Sequence, residues 1–540
     1  MPANPCHTGT LVCSPATSCS DTGLPVLNGT ACGAGLACYA GTCVATRTVT
    51  GTRLVTSWPD TGASCSGVGC PPAPDVAVVP PAAPVSVSAL IPDGTGGWVT
   101  YPGSFTAPGT YSVPNVPTGS FVLQFVDSAG LVTLVDASAS AVDLGYDLLG
   151  RSGASKAAGS TLVTFQLSGL NPWSTAGDQL QVTASNADVW DFLVPSPVLA
   201  PDVTTATVVE DWFSSNARKA PMNLLAATGD VLYVHQLATR TDTGFSGLAY
   251  QAAATATSLT GPPIALASGV PATVVAPLTV PATTATLAGG IWSLSAFEAV
   301  LPPTGVWNPL VTTDANAHTL SIGANAFSLT TPGPIAQGTP SLLVMHLPAG
   351  TPNPTLGTLP YRTFLAPLLW NEWRGVDFTG HVSYTAALAT SALVESVSMG
   401  RREPMVPPPV TPLAPTLTPV QAPTLTPAGG TALGMFATLT NVGLVPTISW
   451  TAPATGAPTS YVVEIYRLDN VAGASVSTPV ATWITGGTSV SLPPGVLAAT
   501  RTYYARITAR IVTSDPFATA PFRRVNTWTW ASTLTGTFAP

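Results

Sequence analysis

Proline is the residue that most constrains this chain: it stands at 55 of 540 positions, and glycine at another 49. Proline lacks the amide hydrogen that an interior helical turn must donate, and glycine loses the most backbone entropy when it is fixed. Residues scattered this densely break any long helix. Between them lie short runs rich in Val, Thr and aromatic residues at alternating positions, the pattern of strands with one buried face. The expected fold is mainly β, with several β-sandwich domains in tandem behind a disulfide-rich N-terminal segment. Only 8% of residues are charged, yet 46% are hydrophobic. Disordered chains are poor in apolar residues, so the low charge is that of a folded protein. Its length suggests about three to five domains.

The charges exclude some partners. Net charge is −8, and Lys156 and Lys219 are the only lysines. Binding to a phosphate backbone needs clustered cations, so nucleic acid is not an expected partner. No apolar run reaches the length of a transmembrane helix. Met1-Pro2-Ala3-Asn4-Pro5-Cys6 has neither the charged nor the apolar region of an export signal.

The cysteines point the other way. All eight, Cys6, Cys13, Cys19, Cys32, Cys38, Cys43, Cys65 and Cys70, lie in the first 70 residues. An even count in a short, loop-rich segment is a disulfide framework, which persists in oxidising compartments. The expected location is therefore secreted or cell-surface, with the export signal lying upstream of Met1. The competing reading is zinc, which favours C-x₂₋₄-C pairs, often with histidine. Here the gaps between the first six cysteines are six, five, twelve, five and four residues, and His7 is the one nearby imidazole. Disulfides are the expectation. The first six cysteines allow 15 pairings, and Cys65 and Cys70 would staple the small loop between them.

Five segments follow from composition and turn signals. Residues 1–45 form the cysteine-rich piece, and residues 46–150 a small sandwich with turns at Pro92-Asp93-Gly94 and Pro117-Thr118-Gly119. Residues 151–401 are a β-rich centre of unassigned type. One helical turn is expected there at Ser295-Ala296-Phe297-Glu298, from its capping-box pattern. Residues 402–428, where Ala-Pro-Thr-Leu-Thr-Pro occurs twice, form a spacer that becomes an edge strand. Residues 429–540 form the last domain.

Two segments resemble known families. Gly109-Thr110-Tyr111 through Val116-Pro117-Thr118-Gly119-Ser120-Phe121-Val122-Leu123 resembles the hairpin of transthyretin-like, carboxypeptidase-regulatory sandwiches, with Phe121 in place of the second aromatic. That family is structural or adhesive, not catalytic. Thr447-Ile448-Ser449-Trp450, then Pro453, then Tyr461, Val463 and Ile465 in alternation, resembles the fibronectin type III domain. Leu497 stands six residues before Tyr503, the spacing of the tyrosine corner in such sandwiches. The family normally has a larger residue where Ala505 stands, and its Pro-Gly turn is displaced here to Pro494-Gly495. The module order resembles that of secreted modular bacterial proteins, a resemblance that implies no activity.

Catalytic patterns are sparse. His7, His235, His318, His346 and His381 form no close metal pair, and His346, in an apolar run, is expected to be a hydrogen-bonded sheet residue. The nearest approach to a nucleophile elbow, Gly244-Phe245-Ser246-Gly247, has the wrong spacing. Asp93 in its Asp-Gly turn is one carboxylate where calcium needs six to eight oxygens. Trp528 and Trp530 share a strand face, expected to pack in a core or interface. One cluster invites a ligand: Trp370-Asn371-Glu372-Trp373-Arg374-Gly375-Val376-Asp377. Tryptophan faces stack on pyranose rings, and Glu372 with Asp377 would supply the paired carboxylates of a glycoside hydrolase. In the plainer reading, Trp370 and Trp373 fill a sheet core, Arg374 pairs with an acid and Asp377 makes a turn.

The expectation is a non-catalytic secreted or cell-surface protein for adhesion, scaffolding or protein–protein interaction, with other surface proteins or glycans as partners and no cofactor or metal. The alternatives are a carbohydrate-binding protein using Trp370, Glu372, Trp373 and Asp377, or the accessory domains of a secreted hydrolase.

Overall fold

The computed structural model describes the chain apart from residues 1–4, 9–11, 14–18, 21–23, 59–74, 79–85, 95, 108, 150, 152–160, 188, 212–222, 246–247, 282, 288–289, 303–304, 326–339, 357–358, 364–370, 406–411, 513–514 and 524–527. The fold is mainly β, built from packed sheets in tandem, with its disulfides in the N-terminal region. Among the described residues one α-helix occurs, Leu294–Glu298, at the turn expected from Ser295–Glu298. Its N-cap is Ser293, whose side chain makes no capping bond. Glu298 reaches instead to His318 Nε2 at 2.8 Å and accepts the Gly350 amide at 2.8 Å. No described helix is long and apolar enough to cross a membrane, a statement that does not extend to β-barrels.

Among the described residues two disulfides tie the N-terminal segment, Cys6–Cys38 and Cys32–Cys43. Cys13 and Cys19 are cross-strand neighbours in a two-stranded ribbon, and Cys65 and Cys70 lie outside the described residues. Strand Leu36–Tyr39 turns into strand Thr42–Thr52 through Ala40 and Gly41, both at positive φ (50° and 74°). That geometry matches the right-handed twist of a two-residue hairpin, and a glycine accommodates it without a Cβ penalty. Thr42–Thr52 then continues past the cysteines and pairs with Thr110–Pro117, which carries Ser104–Ala107 on its other edge. A second sheet, in the order Trp98–Pro102, Ser86–Pro92, Phe121–Val126, Val132–Ala137, covers it. Val49, Tyr111, Val113, Val87, Ile91, Phe121 and Leu123 fill the space between. These are alternate residues of each strand, and on the second sheet the opposite face is apolar too: Leu90, Val122, Val132 and Leu134 pack into the neighbouring core.

The centre holds two packing units. In the first, Leu162–Ser168 lies between antiparallel Thr205–Asp211 and parallel Ala272–Pro277. Its inward residues Val163, Phe165 and Leu167 meet Leu180, Val182 and Val234 of the facing sheet. In the second, His318–Asn325, Ser341–Leu347, Asn371–Tyr384 and Leu393–Pro404 form a sheet over the short helix. Phe378 stacks on His318 at 4.5 Å and on Trp307 at 5.5 Å.

The last module packs Gln421–Thr426, Thr447–Thr451 and Ser489–Ser491 against Ala474–Thr485, Ser460–Val471, Thr502–Val512 and Trp528–Leu534. Trp450 meets Tyr461 edge-on at 5.3 Å. The Tyr503 hydroxyl accepts the Ala498 amide at 2.8 Å. Tyr461, Val463, Ile465, Tyr503, Ala505 and Ile507 are all buried.

These units are joined by backbone hydrogen bonds. One sixteen-stranded sheet runs through all of them. Trp528–Leu534 pairs with Leu393–Pro404, and Val132–Ala137 pairs in parallel with Ala474–Thr485. At the second junction Asp136 accepts the Trp483 indole N–H at 2.8 Å and the Thr485 hydroxyl. Arg523 reaches from the last module to Asp143, Asp147 and Thr56 of the first.

Candidate functional site

The residues singled out between 370 and 377 lie at the start of strand Asn371–Tyr384, except Trp370, which falls outside the described residues. Side chains on a strand alternate between faces. Arg374, Val376, Phe378, Val382 and Tyr384 point into the core, and Trp373, Gly375, Asp377 and Thr379 point to the other side. Glu372 and Asp377, five residues apart, therefore project from opposite faces.

On the core side, Glu372 accepts a hydrogen bond from the buried Tyr361 hydroxyl. Burial raises the Tyr361 pKa, and the bond to Glu372 adds to the effect. Arg374, 1% exposed, donates to Glu403 on the neighbouring strand, with Nε at 3.0 Å. Burial lowers the pKa of this guanidinium, and Glu403 opposes the shift.

On the other face the Trp373 ring lies over two glycines. A Cβ on Gly323 would come within 2.5 Å of the ring and one on Gly375 within 2.8 Å. The ring is 8% exposed. Arg402 sits above it, 5.1 Å from its centroid, and 5.9 Å from the centroid of Trp530. The Trp530 indole N–H donates to Ser398 Oγ at 3.0 Å, and the side chain of Trp528 is outside the described residues. Asp377 lies beside this stack. Burial pushes its pKa up to about 6, against the pull of Arg402 and of hydrogen bonds from Thr379 and Thr319. Thr319 also pairs with His346 Nδ1 at 3.1 Å.

The remaining candidates have structural partners. His235 is fully buried, with Nε2 2.7 Å from Gln181 Oε1, and desolvation lowers its pKa to about 3. His318 is fully buried beside Glu298. His381 Nε2 lies 3.2 Å from Asp314. His7 is in a two-residue strand opposite Pro25. Asp93 accepts the Gly97 amide at 2.8 Å, closing its own turn. The three thiol sulfurs of Cys6, Cys32 and Cys43 come within 4.8 Å of one another, but all three are committed to disulfides. Arg402 and Trp530 join Trp373 only through strand pairing between Asn371–Tyr384, Leu393–Pro404 and Trp528–Leu534. Arg402 carries no local signal beyond its place in an alternating run.

No protein-family model matches this chain, and no curated protein does. Among solved structures, a streptococcal ancillary pilin aligns with 65% of this chain and 95% of its own, at 7% identity and a TM-score of 0.11. Agreement at that level carries no argument.

Proposed function

We propose that this chain is a non-catalytic secreted or cell-surface protein that works by adhesion or scaffolding through its sheet faces and loops. The observation that carries the reading is the placement of the two clustered acids. Glu372 and Asp377 leave opposite faces of one strand, and each is engaged by hydroxyl donors. A glycosidase needs both carboxylates flanking one bond. Two disulfides in a segment with few core residues support an oxidising location. The Trp450–Tyr461 contact and the Tyr503–Ala498 bond support a fibronectin type III-like reading of the last module. Thr110–Pro117 and Phe121–Val126 do not pair as a hairpin but lie in two sheets that face each other across one core, and this sandwich arrangement supports a transthyretin-like reading of the first.

The test is made in the producing cells. Surface proteolysis of intact cells should remove the protein, and deletion of its gene should reduce attachment to surfaces or neighbours. Protection from the protease together with unchanged attachment would reject the reading. Thiol titration of the unreduced protein should find no free cysteine.

Sugar recognition near residue 373 is the second reading, supported by the Trp373–Arg402–Trp530 stack beside Asp377. A glycan array comparing the native chain with Trp373→Ala and Trp530→Ala decides it, and equal signals in all three would exclude it.

A further inference from the structure

A separate cavity lies where the first and last modules meet. Its volume is about 710 Å³, in the range that holds small-molecule ligands. It opens broadly to solvent and its surface is mostly carbon, like that of most such cavities, but six threonine and serine residues set hydroxyl groups among that carbon. The central pair is Thr50 and Ser112, cross-strand neighbours on Thr42–Thr52 and Thr110–Pro117. Neither hydroxyl bonds to any other described residue. On one side, the Thr52 hydroxyl donates to Asp143 Oδ1 at 3.0 Å. On the other, the Thr106 and Thr110 hydroxyls lie 3.2 Å apart. Thr519, from the last module, closes the remaining wall, and its carbonyl accepts the Asp143 amide at 2.6 Å.

The charge in the cavity is already balanced. Asp143 is its one ionisable carboxylate, and Arg523 holds it with Nε and Nη2, each at 2.9 Å. An anion would meet this carboxylate, and a cation would have to compete with Arg523. An apolar ligand would strip water from the hydroxyls without replacing their hydrogen bonds. A hydroxyl both donates and accepts, so the fitting ligand is one that presents adjacent hydroxyls of its own. We propose that this cavity is a binding site for a neutral saccharide, with Thr50 and Ser112 as its direct hydrogen-bonding residues and Thr519 as the wall contributed by the last module. The site is distinct from the Trp373 region and goes beyond the adhesive role argued above by naming a ligand class.

The probe is an array of neutral oligosaccharides built from glucose, galactose, mannose and N-acetylglucosamine, followed by calorimetric titration of the strongest binder on the full-length protein. Thr50→Val/Ser112→Ala keeps a β-branched residue on an exposed strand position and removes both open hydroxyls. It is expected to weaken binding about tenfold or more, from the loss of two hydrogen bonds. Thr519→Val, on the loop, should also weaken binding, and Trp530→Ala should leave it unchanged. Ligand should slow amide exchange in residues 515–523 of the native chain. An array on which no neutral saccharide binds overturns the proposal. So does a Thr50→Val/Ser112→Ala protein that keeps its native melting temperature and full affinity.

Discussion

Removing the Arg523 guanidinium should loosen the junction between the first and last modules without unfolding either one. Its Nε and Nη2 both lie 2.9 Å from Asp143 Oδ2. Nη1 lies 3.1 Å from Asp147 Oδ1 and 2.7 Å from the Thr56 hydroxyl. The Arg523 side chain is 21% exposed and that of Asp147 only 6%. Arg523→Gln therefore leaves one nearly buried carboxylate and one partly exposed one without a cation. Breaking a fully buried pair costs about 3–5 kcal/mol, and an exposed pair contributes under about 1 kcal/mol. The exposure here places the loss between these limits, at about 2–3 kcal/mol. At 1.4 kcal/mol per factor of ten, the junction should open about thirty- to a hundredfold more often. Hydrogen-exchange mass spectrometry measures this directly. Peptides covering 140–149 and 515–523 should exchange faster by that factor, while core strands such as Phe121–Val126 and Thr502–Val512 keep their protection. Unchanged exchange in both junction peptides would refute the reasoning. Equal acceleration throughout the chain would refute it too, because the modules would then not open as separate bodies.

Three further outcomes follow from the geometry. Tyr503→Phe deletes the hydroxyl that accepts the Ala498 amide inside the last module, so urea unfolding of that module should show a loss of about 1–2 kcal/mol. Asp377 has a folded pKa of about 6, above the ordinary carboxylate value. The folded state thus holds the proton more tightly, and stability falls as pH rises from about 4 to 6. Asp377→Asn should flatten this slope by about 1–2 kcal/mol in melts across that range, and an unchanged slope would assign the dependence to other groups. Cys32→Ser/Cys43→Ser opens a crosslink spanning 11 residues, for which chain entropy predicts a loss of about 3 kcal/mol. Limited proteolysis should then cut the N-terminal segment far sooner than the native protein, and equal resistance would show that packing alone holds it.

Much of the fold is legible locally because alternation is a local property. Tyr461, Val463 and Ile465 are buried together on the face their spacing assigns, and the helical turn at Ser295–Glu298 forms. The opposite orientation of Glu372 and Asp377 is also implicit in their spacing, since residues an odd number apart on a strand cannot share a face. Nearness in sequence made them look like a pair. What the sequence does not carry is the identity of distant pairing partners. Nothing near Val132 announces Ala481, and nothing near Gly400 announces Trp530, because the ladder bonds that join them come from backbone atoms common to every residue. The Thr50–Ser112 cavity was hidden for the same reason. Threonine is the ordinary outward residue of a strand, and only the approach of the 515–523 loop gives that face a second wall.

The parallel pairing of Val132–Ala137 with Ala474–Thr485 bears on any attempt to dissect the chain. A fragment cut at the proline-rich stretch would lose the partners of both Ala474–Thr485 and Trp528–Leu534, leaving at each edge a bare row of amide and carbonyl groups, the template on which strands of other molecules add. Such a fragment should self-associate, and adding the first module in trans should reduce the association by covering the Ala474–Thr485 edge. Engineering with this protein should therefore treat its first and last sandwiches as a matched pair.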